Sequence, residues 1–141
     1  MAQLASAHPL VDVVLPATPT SVRTARAAAG DAAADIAVEE RIVDDIRLCV
    51  SEAVTNSVRH AYGPDGGTVQ VVVTHVEGEL MVVVCDHGAG FGSSSRRRDG
   101  PGGLGLEIID ALTSRHHIAS SPNQGTEVHM TFSVGPKAPF V

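Results

Sequence analysis

Tryptophan is absent from this 141-residue chain, and one tyrosine and three phenylalanines are its only aromatic residues. Its core must therefore be aliphatic, with alanine and valine supplying the volume that rings usually fill. Basic residues are also scarce: ten Lys and Arg against sixteen Asp and Glu leave a formal net charge of −6. A nucleic-acid binder ordinarily presents a basic domain, so direct nucleic-acid binding is not expected. Long apolar runs are missing too. Leu80 to Cys85, the longest clean one, has six residues, against the roughly 20 that a membrane span requires. The N-terminus lacks a basic start, and His8, Pro9 and Asp12 interrupt any apolar stretch, so no secretory signal is expected. The two cysteines, Cys49 and Cys85, show neither zinc-type nor redox spacing and read as buried reduced thiols. What remains is a cytoplasmic single domain whose 43% hydrophobic residues suffice for a core.

Residues 1–9 and 135–141 read as flexible tails around one domain, 10–134. Val11, Val13 and Leu15 alternate over a first strand, Leu10–Leu15, which stops at Pro16. Thr18 or Thr20 can cap a helix reaching about Ala34, with Pro19 tolerated in its first turn. A second helix runs from about Val38 to Tyr62, opening on Glu39 and Glu40 and ending at Gly63-Pro64. Two β-branched strands follow, Thr68–Val76 and Glu79–Asp86, joined as a hairpin through Glu77-Gly78. A polar loop, His87 to Gly102, leads into a short helix, Leu104 to about Leu112. Arg115–Ser120 and Thr126–Ser133 complete the strands around a Ser-Pro-Asn-Gln-Gly turn. This order predicts an α/β (α+β) two-layer sandwich, a mixed sheet covered on one face by helices.

On a helical wheel advancing about 100° per residue, Glu52, Asn56 and Arg59 share one arc with Asp45 and Arg41. Val43, Ile46, Val50, Ala53, Val54 and Ala61 fill the opposite arc. Such a polar stripe is compatible with a wet helix face. It also suits a ligand site, because a carboxylate can take a proton while an amide oxygen one turn on can bind Mg²⁺.

Two glycine loops bear on that choice. Asp86-His87-Gly88-Ala89-Gly90-Phe91-Gly92 follows an apolar strand directly. A carboxylate at a strand's mouth can accept a hydrogen bond from the exocyclic amine of adenine, and the glycines let backbone approach a flat ring. Gly100-Pro101-Gly102-Gly103-Leu104-Gly105-Leu106 opens a helix, where bare amides suit phosphate. Although it matches G-x-G-x-x-G, no strand immediately precedes it, so a dinucleotide fold is excluded, as is a P-loop. His116 and His117, adjacent on a strand, point to opposite faces and cannot share one metal ion.

Taken in order, these elements resemble the GHKL (Bergerat-fold) ATPase superfamily of gyrase, the heat-shock chaperone, histidine kinases and MutL. Glu52-x-x-x-Asn56 is similar to its N box, Asp86-x-Gly88-x-Gly90 to its G1 box, and Gly103-Leu104-Gly105-Leu106 to its G2 box. Gly125-Thr126 is similar to its closing G3 element. Ser51-Glu52-Ala53-Val54-Thr55-Asn56 with His60-Ala61-Tyr62 most resembles the branch of bacterial anti-sigma factors with serine-kinase activity.

That resemblance implies ATP and Mg²⁺ as cofactors and a role for each matching residue. Glu52 is the implied general base and Asn56 the Mg²⁺ ligand, with Arg59 and His60 near the phosphates. Asp86, helped by Thr126, takes the adenine amine; Gly88 and Gly90 admit the ring; Gly103, Leu104, Gly105 and Leu106 hold phosphate. The implied partners are a sigma factor and an anti-anti-sigma (STAS-type) protein phosphorylated on serine, with the chain a homodimer. The segment from Phe91 to Gly102 is the implied lid; it has Pro101-Gly102 where the family places a basic residue before the G2 glycines, so Arg96–Arg98 either take over that charge or form a solvated loop and leave the role weakened. A non-catalytic, nucleotide-tuned binding module of the same fold is the alternative.

Overall fold

The computed structural model describes residues 8–36, 38–60, 62, 66–88 and 106–134. Within them lie strand β1 (Val11–Pro16), helices α1 (Pro19–Asp35) and α2 (Glu40–His60), the hairpin β2 (Thr68–Val76) and β3 (Glu79–Asp86), helix α3 (Leu106–Leu112), and strands β4 (Arg115–Ser121) and β5 (Gly125–Ser133). The strands form one sheet in the order β1-β2-β3-β5-β4.

The two-layer α+β arrangement holds, but the sheet is antiparallel at every pairing rather than mixed. Two connections explain this. The short link between α1 and α2 folds them into a helical hairpin, which returns the chain so that β2 runs against β1. The single-helix crossover through α3 leaves β3 and β4 running the same way. β5 then lies between them, so neither has a parallel neighbour.

Strand periodicity decides which face meets the helices. Val69, Val71 and Val73 of β2, Leu80, Val82 and Val84 of β3, and Val128, Met130 and Phe132 of β5 are buried. They meet Ile46, Val50, Ala53 and Val54 of α2 and Ile109 of α3 in one core. As the composition requires, that core is aliphatic apart from Phe132. On the opposite face Met81, Val83 and Cys85 are only half-buried, and Arg115, His117 and Glu127 are exposed.

Helix α1 begins as its sequence suggests, with Thr18 extended at the N-cap and Pro19 in the first turn. The Thr18 hydroxyl makes no capping bond; it lies 3.4 Å from the Ser21 hydroxyl instead. The buried side is Ser21, Ala25, Ala29, Gly30 and Ala33, small enough to let α2 approach closely. Arg47 of α2 lies across Gly30, where a Cβ would collide with it. Helix α2 carries Glu40 in its first turn and Arg59 and His60 in its last, the order that the helix dipole favours. It is described as far as His60, and Tyr62, near the expected end, is not helical.

Candidate functional site

The site gathers where α2 ends beside the C-terminal end of β3. Alternation along β3 places Asp86 on the helix-facing side, 5% exposed, in line with Leu80, Val82 and Val84. A buried carboxylate needs donors, and two supply it. The Ser57 hydroxyl of α2 donates to Asp86 Oδ2 at 2.8 Å, and the Gly88 N–H donates to Oδ1 at 3.0 Å. Each oxygen keeps a second lone pair. The carboxylate is thus fixed and can still accept a bond from a ligand's amine.

Thr126 of β5, also buried, is the direct cross-strand partner of Asp86. Its hydroxyl lies 3.0 Å from that of Ser120 on β4. Gly125 makes this close approach possible. Its φ is +93°, and a Cβ there would run into the Asp86 carbonyl and the His87 Cα. Asp86, His87, Ser120, Gln124, Gly125 and Thr126 line part of a cleft of about 220 Å³ beside the β4–β5 turn.

Glu52 and Asn56 stand one turn apart on α2, both half-buried, as the wheel places them. Cys49, three residues before Glu52, is fully buried, whereas Leu48 beside it is 45% exposed. Burial, and then the charges of Asp45 and Glu52, push the Cys49 thiol up to about 12. Arg59 and His60 are exposed in the last turn, and Leu106 is half-buried as the first residue of α3. Gly90, Gly103, Leu104 and Gly105 lie outside the described residues, as do Ala61 and Arg96–Arg98.

The structure therefore joins Asp86, Gly88 and Thr126 directly and brings them to the helix that carries Glu52 and Asn56. Sequence reasoning missed Ser57. On the wheel it falls about 140° from Glu52, in the middle of the apolar arc. A hydroxyl among valines and alanines was the available signal, because a buried hydroxyl must find a partner. Tyr62 was noticed only as part of a motif. Its hydroxyl accepts the His87 N–H at 2.9 Å and donates to the Thr68 carbonyl.

Comparison with known proteins bears on the family and the fold. A family model described as the histidine kinase-like ATPase domain matches residues 15–132. The serine-protein kinase RsbW of Listeria monocytogenes serotype 4a is 31% identical over 148 residues, covering 95% of this chain and 93% of that protein. An anti-sigma F factor from Pasteuria penetrans is 36% identical over 97 residues, covering 61% of this chain and 65% of its own. Among solved structures, the RsbU and RsbW domains of a Mycobacterium tuberculosis protein align with a TM-score of 0.72 at 27% identity. That alignment covers 95% of this chain and 34% of the solved one, so the present chain corresponds to about a third of it.

Proposed function

The chain belongs to the histidine kinase-like ATPase domain family, and from that premise we propose how it acts as an ATP-dependent serine-protein kinase of the anti-sigma type. The observation that carries the reading is Asp86: a buried carboxylate held by Ser57 and Gly88, opposite Thr126, with acceptor capacity left for an adenine amine. A single charged acceptor in so enclosed a place favours a base that donates there over one that does not.

Glu52 is the general base. The serine oxygen of the acceptor protein bonds to the γ-phosphorus as its hydroxyl proton passes to the Glu52 carboxylate. The bond from the γ-phosphorus to the bridging oxygen breaks, and ADP leaves. Positioning on a rigid, well-packed helix supplies much of the rate. Asn56 offers the amide oxygen for Mg²⁺. Among the described residues no group of three or more His, Cys, Asp and Glu is placed to hold a metal. One amide oxygen suits an ion that would arrive with the nucleotide. When bound, Mg²⁺ neutralises charge on the transferring phosphoryl group. Arg59 and His60 at the end of α2, Gly88 and Gly90 after β3, and Gly103 to Leu106 before and at the start of α3 complete the nucleotide contacts.

On this reading the chain works in the cytoplasm as a homodimer, holding a sigma factor until a STAS-type anti-anti-sigma protein displaces it and is phosphorylated. The open edge of the sheet supports self-association. Among the described residues β1 pairs only with β2, and Leu10 just before it and Val14 within it are 42% and 61% exposed. Glu52→Ala tests the chemistry. Phosphate transfer to the acceptor serine should drop by about 10²- to 10⁴-fold, while ATP binding measured by calorimetry stays near wild type. If ATP still drives partner release in Glu52→Ala, transfer is not the working step.

A further inference from the structure

We infer that Tyr62 is a positioning residue for base selection, holding the Asp86–Gly88 turn in the orientation that recognises an exocyclic amine; this rests on the nucleotide-binding reading above. A phenolic hydroxyl has one proton to donate and oxygen lone pairs to accept with. Here the proton goes to the Thr68 carbonyl, at the first residue of β2, and the oxygen takes the His87 N–H at 2.9 Å. One atom thus ties the exit of α2 to the start of β2 and to the residue that follows β3.

His87 sits between the two residues that make the recognition turn. Asp86 before it provides the carboxylate, and Gly88 after it donates to that carboxylate's Oδ1. Fixing the His87 N–H fixes the peptide plane from which the Asp86 side chain departs. Ser57 grips the same carboxylate from the core side, through Oδ2. Ser57 lies in the last turns of α2 and Tyr62 just beyond its end, so one helix end holds the turn by its side chain and by its backbone.

Gly67 is an independent sign that the ring belongs there. A Cβ at Gly67 would fall on the Tyr62 ring atoms. Gly67 is not among the glycines with positive φ, Gly66, Gly78 and Gly125. Space for the ring, rather than backbone conformation, is what asks for glycine at this position.

The test uses Tyr62→Phe in the full chain, which keeps the ring and deletes the hydroxyl. Calorimetry is run with ATP and with inosine triphosphate, which has a carbonyl where adenine has its amine. The dissociation constant for ATP should rise about three- to tenfold, the range of one or two partly exposed hydrogen bonds. That for inosine triphosphate should stay unchanged, so selection between the two bases falls. Gly67→Ala, which displaces the ring while retaining the hydroxyl, should lower the same ratio. Equal weakening of both nucleotides in Tyr62→Phe would make Tyr62 merely structural, and no change in either would also overturn the inference. A wild type that binds neither nucleotide defeats the nucleotide reading itself, and this inference with it.

Discussion

Asp86 shows how burial turns an ordinary carboxylate into a recognition device. Water is replaced by the Ser57 hydroxyl and the Gly88 N–H, both aimed at fixed lone pairs, and a ligand amine meets an acceptor that needs no reorganisation. Asp86→Ala should weaken ATP binding about 10- to 150-fold, the worth of a hydrogen bond to a charged group; calorimetry reads it. Ser57→Ala should weaken binding less, because Gly88 still holds the carboxylate. The two cysteines allow a separate check. Burial first, and then Asp45 and Glu52, raise the Cys49 thiol from 9.0 to about 12, and burial followed by Glu127 and Asp86 raises that of half-buried Cys85. A thiol whose folded pKa lies above its unfolded value contributes stability fully below the unfolded pKa and loses it as pH rises through the folded one. For Cys49 that window runs from pH 9 to about 12. Native protein treated with iodoacetamide near pH 8 should therefore be alkylated slowly at Cys85 and not at Cys49, as peptide mass mapping would show. Asp86 was legible because glycines follow it at the end of an apolar strand. Ser57 was hidden, since periodicity sorts arcs into wet and dry and gives no weight to one hydroxyl inside the dry one.

At the scale of elements, helix lengths and strand limits were readable within one or two residues because local chemistry sets them. Pro16 ends β1, the Glu77-Gly78 turn separates β2 from β3, and the dipole order of charges marks both ends of α2. Near the end of α2, Tyr62 is held by nonlocal partners. Tyr62 bonds to Thr68 and His87, and those partners lie off the helix axis. Strand direction was misread for a nonlocal reason, because insertion of β5 between β3 and β4 is a choice of pairing partners rather than a local preference. Element junctions are accordingly where a substitution reaches the site as well as the fold. Gly125→Ala puts a side chain into the Asp86 carbonyl at a φ of +93°. It should destabilise the fold by about 1–3 kcal/mol from backbone strain alone. ATP affinity should fall with it, as β5 moves off Asp86. Ile46→Ala, fully buried beneath the sheet, should cost about 2–5 kcal/mol in urea unfolding and leave nucleotide affinity near wild type in the folded fraction. The contrast separates core packing from site geometry.

The whole molecule couples site and stability because the site is assembled from separate parts of the chain. Asp86 ends β3, Ser57 sits on α2, Thr126 begins β5, and Tyr62 joins α2 to the β2–β3 hairpin. None of these groups can meet in an unfolded chain, so nucleotide binds the native state almost exclusively. Mass action then fixes the size of the effect. ATP at 100 times its dissociation constant should add about 2.7 kcal/mol of stability. For a domain of this length that is a rise in Tm of roughly 5–15 °C. Scanning calorimetry at rising ATP should show one transition moving upward as a unit, because helices and sheet share a single core. Asp86→Ala should show almost no shift at the same concentrations, whereas Glu52→Ala, which acts on transfer rather than on binding, should shift as wild type does. If Glu52→Ala lost the shift, Glu52 would be a ligand of the ground-state nucleotide, and the general-base role would have to move to another residue. An unshifted wild type would mean that this fold is complete without nucleotide and that its binding energy is directed at protein partners instead.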